Sequence, residues 1–556
     1  MFASLGFLFA ALSLARCIPV QQVSHRSKVL LVSFDGFRWN YDQDVDTPNL
    51  DAMAAEGVKA RYMTPAFITI TSPCHFTLLT GRYLENHGVI HNMWFNTSTG
   101  QKLPYHSTQG VDSWWDNGSL PIWITAQRQG LKTGSIYFPG GRAKYQGEEV
   151  NMKLVEPLLF NYSNETNWRE NIDTAMEWFT VHSLDFIALY FGEPDSAGHK
   201  FGPESTQRKN MIKQVDRTIG YLRQRIRESG LESTLSLIVT SDHGMETVIK
   251  TNEIHIRTVA NFTFKDIQFE LLDYGPNGLL VPKEGKLEHV YSVLKNAHPN
   301  LHVYKKADFP RRFRYANHSR ITPLLLYSDP GYVIHGRYKV QFNKGEHGFD
   351  NEAMAMKTIF RAVGPAFRRG LLVEPFESVH VYALLCELLG ITPEPHDGDL
   401  AVLRPVLRSR APAPPATTLP VMLGLALVLG RWGGTTAPPS RYHRITEASR
   451  LENTLKIVYP HRLHVRGRRT ILTPAPSSGQ LCQKRKMLLP RGPNGSRREH
   501  SNKHPRHLRP YVDAEFPGKL LPLEIPVWGV ACAPAMPRHD LLPLIPPCEP
   551  RSPGPK

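Results

Sequence analysis

The sequence predicts an α/β domain with a mostly parallel central sheet flanked by helices on both faces. Three continuous apolar runs carry that prediction: Val29-Leu30-Leu31-Val32-Ser33-Phe34, Phe186-Ile187-Ala188-Leu189-Tyr190-Phe191 and Leu235-Ser236-Leu237-Ile238-Val239-Thr240. A strand with one wet face alternates polar and apolar residues, whereas a short, uniformly apolar run suits a strand covered on both sides, as in parallel sheets. The second observation is amphipathic helical periodicity between the runs, which supplies the covering layers.

The elements follow in chain order. After the first run, Thr47-Pro48 reads as an N-cap followed by proline at the first helical position, and Gly57 closes that helix. Between the second and third runs, Met211, Ile212, Val215, Ile219, Leu222 and Ile226 line one face of a longer helix that ends at Gly230. The pattern is sustained over residues 27–405, which are expected to form one catalytic domain.

Beyond it the chain is a different material. Residues 431–556 hold 22 of the 66 Lys and Arg residues, only 8 of the 50 Asp and Glu residues, and 20 of the 45 prolines. The +16 net charge therefore belongs almost wholly to a basic, Pro- and Arg-rich tail, which is expected to be disordered. A Pro-rich linker (406–418) and a short apolar segment (419–430) precede it. Twelve apolar residues fall short of the roughly 20 needed to span a bilayer. Extension through Arg431 would cost about 2.5–3.5 kcal/mol, so the segment reads as a vestigial membrane anchor.

At the other end, the apolar stretch Phe2–Leu14 has the length of a secretory h-region, and residues 1–17 are expected to be a signal peptide. Six Asn-x-Ser/Thr sequons within residues 27–405, at Asn96, Asn117, Asn161, Asn164, Asn261 and Asn317, agree with export. Export removes the tail from nucleic acid, so its basicity does not make a nucleic-acid binder. Cys74 and Cys386 are the only cysteines in 27–405, which excludes a disulfide-stapled scaffold.

The chemistry lies at the ends of the apolar runs. The first ends in Asp35-Gly36, the second is followed by Asp195 and His199, and the third ends in Asp242-His243-Gly244. Open α/β sheets place their ligands at the carboxyl ends of the strands. One such aspartate is ordinarily a helix cap or a turn residue, but three of them, two accompanied by histidine, form a donor set suited to zinc. The hydroxyl-rich segment Thr64–His75 contains Thr71, a poor nucleophile unless its pKa is lowered. Further on, His347 stands in Gly345-Glu346-His347-Gly348, on a loop from which its ring can reach a metal.

Together, Ser33-Phe34-Asp35-Gly36-Phe37-Arg38, Thr71-Ser72-Pro73, Gly192-Glu193-Pro194-Asp195-Ser196-Ala197-Gly198-His199 and Ser241-Asp242-His243-Gly244-Met245 resemble, in order and spacing, the motifs of the ectonucleotide pyrophosphatase/phosphodiesterase family of the alkaline phosphatase superfamily. Phe37–Asp42, Asn86–Met93, and the lack of cysteine-rich or nuclease-like modules are most similar to the branch that cleaves choline phosphodiesters. The resemblance implies an alkaline-phosphatase-like fold and two zinc ions, one held by Asp195, His199 and His347, the other by Asp35, Thr71, Asp242 and His243. It further implies Thr71 as the nucleophile, Asn92 as a hydrogen-bond donor to a phosphoryl oxygen, and hydrolysis of sphingomyelin or another choline phospholipid in membranes or micelles, at the cell surface or in secreted form. A quaternary ammonium is held by aromatic faces, and Tyr162 and Phe269, with Phe138 as a third wall, stand where such rings are expected.

Two other phosphodiesterase readings use the same metals: a nucleotide pyrophosphatase and a lysophosphocholine phosphodiesterase. A sulfatase is disfavoured, because Cys74 is followed by His75-Phe76-Thr77 and lacks the Cys-x-Pro-x-Arg setting. A non-catalytic surface protein that binds through its basic tail is disfavoured by the intact set of ligand residue types.

Overall fold

A computed structural model describes residues 26–158, 160–339 and 341–409. The expected signal peptide, most of the linker, the apolar segment at 419–430 and the basic tail lie outside the described residues. Strands β1 (Lys28–Phe34), β2 (Val58–Ala60), β3 (Thr133–Ile136), β4 (Met152–Leu154), β5 (Phe186–Phe191), β6 (Leu235–Thr240), β11 (Phe360–Val363) and β12 (Leu371–Val373) form the main sheet; β7–β10 belong to a second sheet described below. Their spatial order is β12-β2-β11-β6-β1-β5-β3-β4. The five strands from β6 to β4 are mutually parallel, and β11 is the single strand that runs against its neighbours. All three apolar runs are strands, as the sequence predicts, and they lie side by side at the sheet centre.

Successive side chains of a strand point to opposite faces, and β1 divides accordingly. Val29 and Leu31 pack with residues of helices α2 (Thr71–Thr80), α3 (Ile122–Arg128) and α8 (Val381–Leu389), whereas Leu30, Val32 and Phe34 pack with α1 (Pro48–Glu56), α4 (Glu165–Thr180) and α6 (Thr206–Glu228). Both faces are therefore covered. Helix α5 (Asp195–Phe201) is short and carries ligand-type side chains instead of core residues.

The start of α1 departs from the expected form. Thr47 occupies the cap position but makes no capping hydrogen bond; its hydroxyl donates instead to the Asp42 carbonyl. The cap comes from α6, where Asp216 accepts from the backbone N–H of Asn49 and Leu50 at 3.0 and 2.9 Å. A carboxylate brought by tertiary packing serves these first-turn donors, which need an acceptor wherever they are buried. Gly57 ends α1 for a steric reason: a Cβ there would lie 2.1 Å from the Ala362 carbonyl oxygen.

Between β6 and β11 the chain builds a separate antiparallel sheet of β7 (Ile267–Tyr274), β8 (Asn277–Pro282), β9 (Leu301–Lys305) and β10 (Leu324–Ser328), in the order β7-β8-β10-β9. It packs helix α7 (Leu287–Leu294) over its own core of Leu280, Val290, Leu294, Val303 and Leu326. The apolar runs and ligand-type residues of the sequence give no sign of this layer. Among the described residues no helix is long and apolar enough to cross a membrane.

Candidate active site at the carboxyl edge of the sheet

The parallel register places Asp35, Asp195 and Asp242 just beyond the ends of three adjacent strands, β1, β5 and β6. The backbones interlock there: Asp195 N–H donates to the Asp35 carbonyl at 3.0 Å, and Gly36 N–H donates to Asp242 Oδ1 at 3.1 Å. Gly36 has φ +69°, and a Cβ on it would sit 2.8 Å from Asp195 Cα. Only glycine permits that approach.

Two clusters result. In one, His199 Nε2 lies 3.1 Å from His347 Nε2 and 3.4 Å from Asp195 Oδ2, and His347 Nε2 lies 3.5 Å from Asp195 Oδ1. In the other, His243 Nε2 lies 3.1 Å from Asp242 Oδ2, 3.4 Å from Asp35 Oδ1 and 3.4 Å from Thr71 Oγ1. The His243 and His347 rings stack at 3.6 Å and join the two. The structure thus brings together the seven side chains expected from the sequence, in the two groups expected.

Three observations fit these clusters to divalent metals. Donors at roughly 2.0–2.2 Å from a tetrahedral zinc stand about 3.3–3.6 Å apart, close to the distances seen. Each histidine has Nδ1 on a backbone carbonyl, His199 on Gly345 at 2.8 Å, His243 on Gly244 at 2.9 Å and His347 on Thr69 at 2.9 Å. That contact places the proton on Nδ1 and aims the Nε2 lone pair inward, the arrangement of metal-ligating imidazoles. Finally, Asp35 Oδ1, Asp195 Oδ1 and Asp242 Oδ2 are buried without a hydrogen-bond donor. These are among the oxygens that face the imidazoles, and a cation is the partner that satisfies them.

Electrostatics agree. Burial, then the charges of Asp242 and Asp195, hold the Asp35 carboxyl well above the usual carboxylate range, and burial pushes His243 down to about 4. His347 is likewise pushed well down by burial and by the two neighbouring histidines. Burial opposes the charge of His199 too, but Asp195 and Glu346 raise it above its ordinary value, so this carboxylate-rich site draws positive charge to itself.

Thr71 stands at the first position of α2, where the helix dipole favours a phosphate. Asn92 is fixed from two sides: Oδ1 accepts from Ser72 N–H at 2.8 Å, and Nδ2 donates to the Tyr274 hydroxyl at 3.1 Å. A primary amide has two N–H bonds, so one remains to donate beside Thr71.

Several supporting residues carry no signal in the sequence. Tyr190 donates its hydroxyl to Asp35 Oδ2 at 2.6 Å, and His75 stands between the Thr71 carbonyl (2.8 Å) and Ser33 Oγ (2.8 Å). Tyr190 sits in an apolar run and looked like core. Only the β1–β5 pairing, which sets Ser33 beside Tyr190 and Phe34 beside Phe191, reveals its place.

Of the three aromatic residues, Tyr162 lies against the segment leading to Asp195: a Cβ on Gly192 would fall 2.2 Å from its ring. Its hydroxyl donates to Glu156 Oε1 at 2.6 Å, and burial pushes Glu156 up to about 7. Glu156, Tyr105, Gln109, Tyr137 and Phe138 line a small pocket open to solvent. Gln109 extends from it to donate to Ser72 Oγ, next to Thr71. Phe138 is otherwise a core ring, edge-on to His75 and Trp123. Phe269 is buried on β7, stacked on Phe95 at 5.3 Å with the Lys102 ammonium 5.4 Å from its ring centre.

A model of the type I phosphodiesterase/nucleotide pyrophosphatase family matches residues 29–350. The chain is 67% identical over 398 residues to mouse ectonucleotide pyrophosphatase/phosphodiesterase family member 7, spanning 71% of this chain and 91% of that protein. The human member 7 is 66% identical over 399 residues, 71% and 87% of the two chains. Among solved structures, an inactive threonine-to-alanine variant of murine family member 5 in complex with AMP superposes with a TM-score of 0.64 at 36% identity, covering 69% of this chain and all of that one. The chain belongs to the ectonucleotide pyrophosphatase/phosphodiesterase family, with the alkaline-phosphatase-like α/β fold of that family, and is a phosphodiesterase.

Proposed function

We propose that this family member is an extracellular, zinc-dependent phosphodiesterase that hydrolyses sphingomyelin to ceramide and phosphocholine through a phospho-Thr71 intermediate. The observation that carries the substrate is the 66–68% identity to member 7 proteins from mouse, rat and human, against 37% to human member 5. Zinc ions in the two clusters would lower the pKa of the Thr71 hydroxyl and neutralise the phosphoryl charge.

The chain's own groups do the rest. Thr71 Oγ1 attacks phosphorus in line, forming the Oγ–P bond as the bond from phosphorus to the ceramide oxygen breaks; that oxygen leaves and takes a proton. Asn92 donates its spare N–H to a phosphoryl oxygen, held in aim by Ser72 and Tyr274. Water then attacks the phospho-threonine, releases phosphocholine and restores Thr71. The choline group lies by the Tyr162 ring, which Glu156 holds by accepting from its hydroxyl, with Phe269 and Phe138 as the further aromatic walls.

A choline site separates this reading from nucleotide hydrolysis, which the AMP complex of member 5 makes the natural comparison. The test sets sphingomyelin, a lysophosphocholine lipid, a nucleotide ester and a soluble chromogenic phosphodiester side by side, on the wild type and on Tyr162→Ala. The variant should lose roughly 2- to 30-fold in kcat/KM on choline esters, the kinetic equivalent of about 0.5–2 kcal/mol of cation–π attraction, and much less on the chromogenic ester. Equal losses on all four, or a wild-type preference for the nucleotide ester, would remove the choline assignment.

A further inference from the structure

Away from the catalytic clusters, a short parallel pair of strands joins Glu253–His255 to Val333–His335, in the register Glu253↔Val333, Ile254↔Ile334 and His255↔His335. Alternation puts Glu253 and His255 on one face, while Ile254 and Ile334 enter the core of the second sheet. On the polar face the His255 and His335 rings stack at 4.6 Å with an interplanar angle of 5°. Both direct Nε2 at the same carboxylate: His255 lies 3.3 Å from Glu253 Oε2, and His335 lies 3.6 Å from Glu253 Oε1.

We propose that Glu253, His255 and His335 form a third metal site, for one zinc-class divalent ion, distinct from the catalytic pair. All three ligand atoms lie within 4.8 Å of one another, and the two imidazole–carboxylate distances match the roughly 3.3–3.6 Å donor separation of a tetrahedral zinc. They also match the separations in the catalytic clusters. Two imidazoles and a carboxylate are a donor set common to zinc, and the partial exposure of Glu253 and His255 leaves water as the fourth ligand. Glu253 Oε2 now pairs with Lys339 Nζ at 2.6 Å, but that lysine side chain is 67% exposed and swings into solvent at little cost when a cation arrives. Lys339 shares the carboxylate, yet two stacked histidines turn the same nitrogen toward it, one to each oxygen, so that a cation can replace the protons on both.

The site would hold the strand pair together and brace the chain that leads to the catalytic cluster. Phe342 packs edge-on against His335 at 4.7 Å, Asn343 donates to Glu346, and His347 follows. No residue is shared with the catalytic clusters, so the proposal does not depend on how many ions those hold.

The test is a difference in zinc content, measured by elemental mass spectrometry on the purified full chain after dialysis against a series of zinc buffers that rises to about micromolar free ion. Glu253→Ala/His255→Ala should bind one ion fewer per chain than wild type, while keeping activity on a soluble phosphodiester. His255→Gln alone, at a partly exposed position that leaves the core intact, should bind zinc at this site at least 10-fold more weakly, and it serves if the double variant does not fold. Zinc contents equal to wild type across that buffer range, in whichever of these variants folds, would overturn the proposal.

Discussion

Replacing Tyr190 by Phe tests whether the buried polar network around Asp35 holds the metal. The Tyr190 hydroxyl donates to Asp35 Oδ2 at 2.6 Å in a buried setting, with the tyrosine pKa raised by burial and by Asp35 itself, so the proton stays on oxygen. A hydrogen bond to a charged acceptor contributes about 1.5–3 kcal/mol, a factor of roughly 10–100 in a binding constant. Outer-shell substitutions around metal ligands cost the same 10–100-fold in affinity. Phenylalanine keeps the ring, which packs edge-on to His75 at 5.3 Å, so shape is preserved and only the hydrogen bond is lost. Metal retained by the purified variant, measured against a graded series of chelator-buffered zinc concentrations, should show its midpoint shifted 10- to 100-fold upward. At saturating zinc, kcat should recover to within a few fold of wild type. An unshifted retention midpoint would refute the reasoning, because it would mean Asp35 is held in place without the tyrosine.

Two further outcomes follow from the nucleophile and from the buried acid beside the pocket. Thr71→Ala should abolish turnover with unchanged circular dichroism, since it removes a hydroxyl but little core volume, and Thr71→Ser should keep measurable activity; substantial turnover by the alanine variant would exclude Thr71 as nucleophile. Glu156 carries a pKa raised to about 7 by burial, with the Tyr162 hydrogen bond opposing. A carboxyl raised in the folded state leaves stability intact below its unfolded pKa near 4.5 and costs stability as pH rises through 7. Glu156→Gln should therefore match wild type in chemical denaturation at pH 4.5 and exceed it at pH 8.5 by on the order of 3 kcal/mol; parallel stability curves would show that the carboxyl is not held neutral.

How legible the protein is in its sequence depends on what kind of information a feature needs. The strands 29–34, 186–191 and 235–240 are legible because a strand buried on both faces must be apolar throughout, whatever its neighbours. The proposed ligands Asp35, Asp195, His199, Asp242 and His243 are legible because a carboxylate or imidazole just past such a strand is an expensive choice without a partner. The α1 cap was misread at Thr47 because the acceptor actually used, Asp216, lies more than 160 residues away and reaches the helix only through tertiary packing. The β7–β10 sheet is less legible for a related reason: β7 begins with alternating buried and exposed positions and is interrupted by irregular pairing, so it does not read as a doubly covered strand.

The same distinction separates chemistry from specificity. Metal ligands are few, chemically distinctive and fixed by strand order, so residue type at the strand ends goes far toward naming them. The proposed head-group site is made of ordinary rings whose meaning is set by what packs behind them. Tyr162 gains its place from Gly192, which lets the ring lie on the backbone before Asp195, and from the Glu156 acceptor. Phe269 looks equivalent in sequence, yet it is buried against Phe95 with a lysine already over its face. Loss of a choline contact at Phe269 would thus be accompanied by loss of packing, whereas Tyr162 can be trimmed with a smaller cost to the core. The Tyr162 substitution is the sharper probe of substrate choice, and a Phe269 variant is informative only when its stability is measured alongside its kinetics.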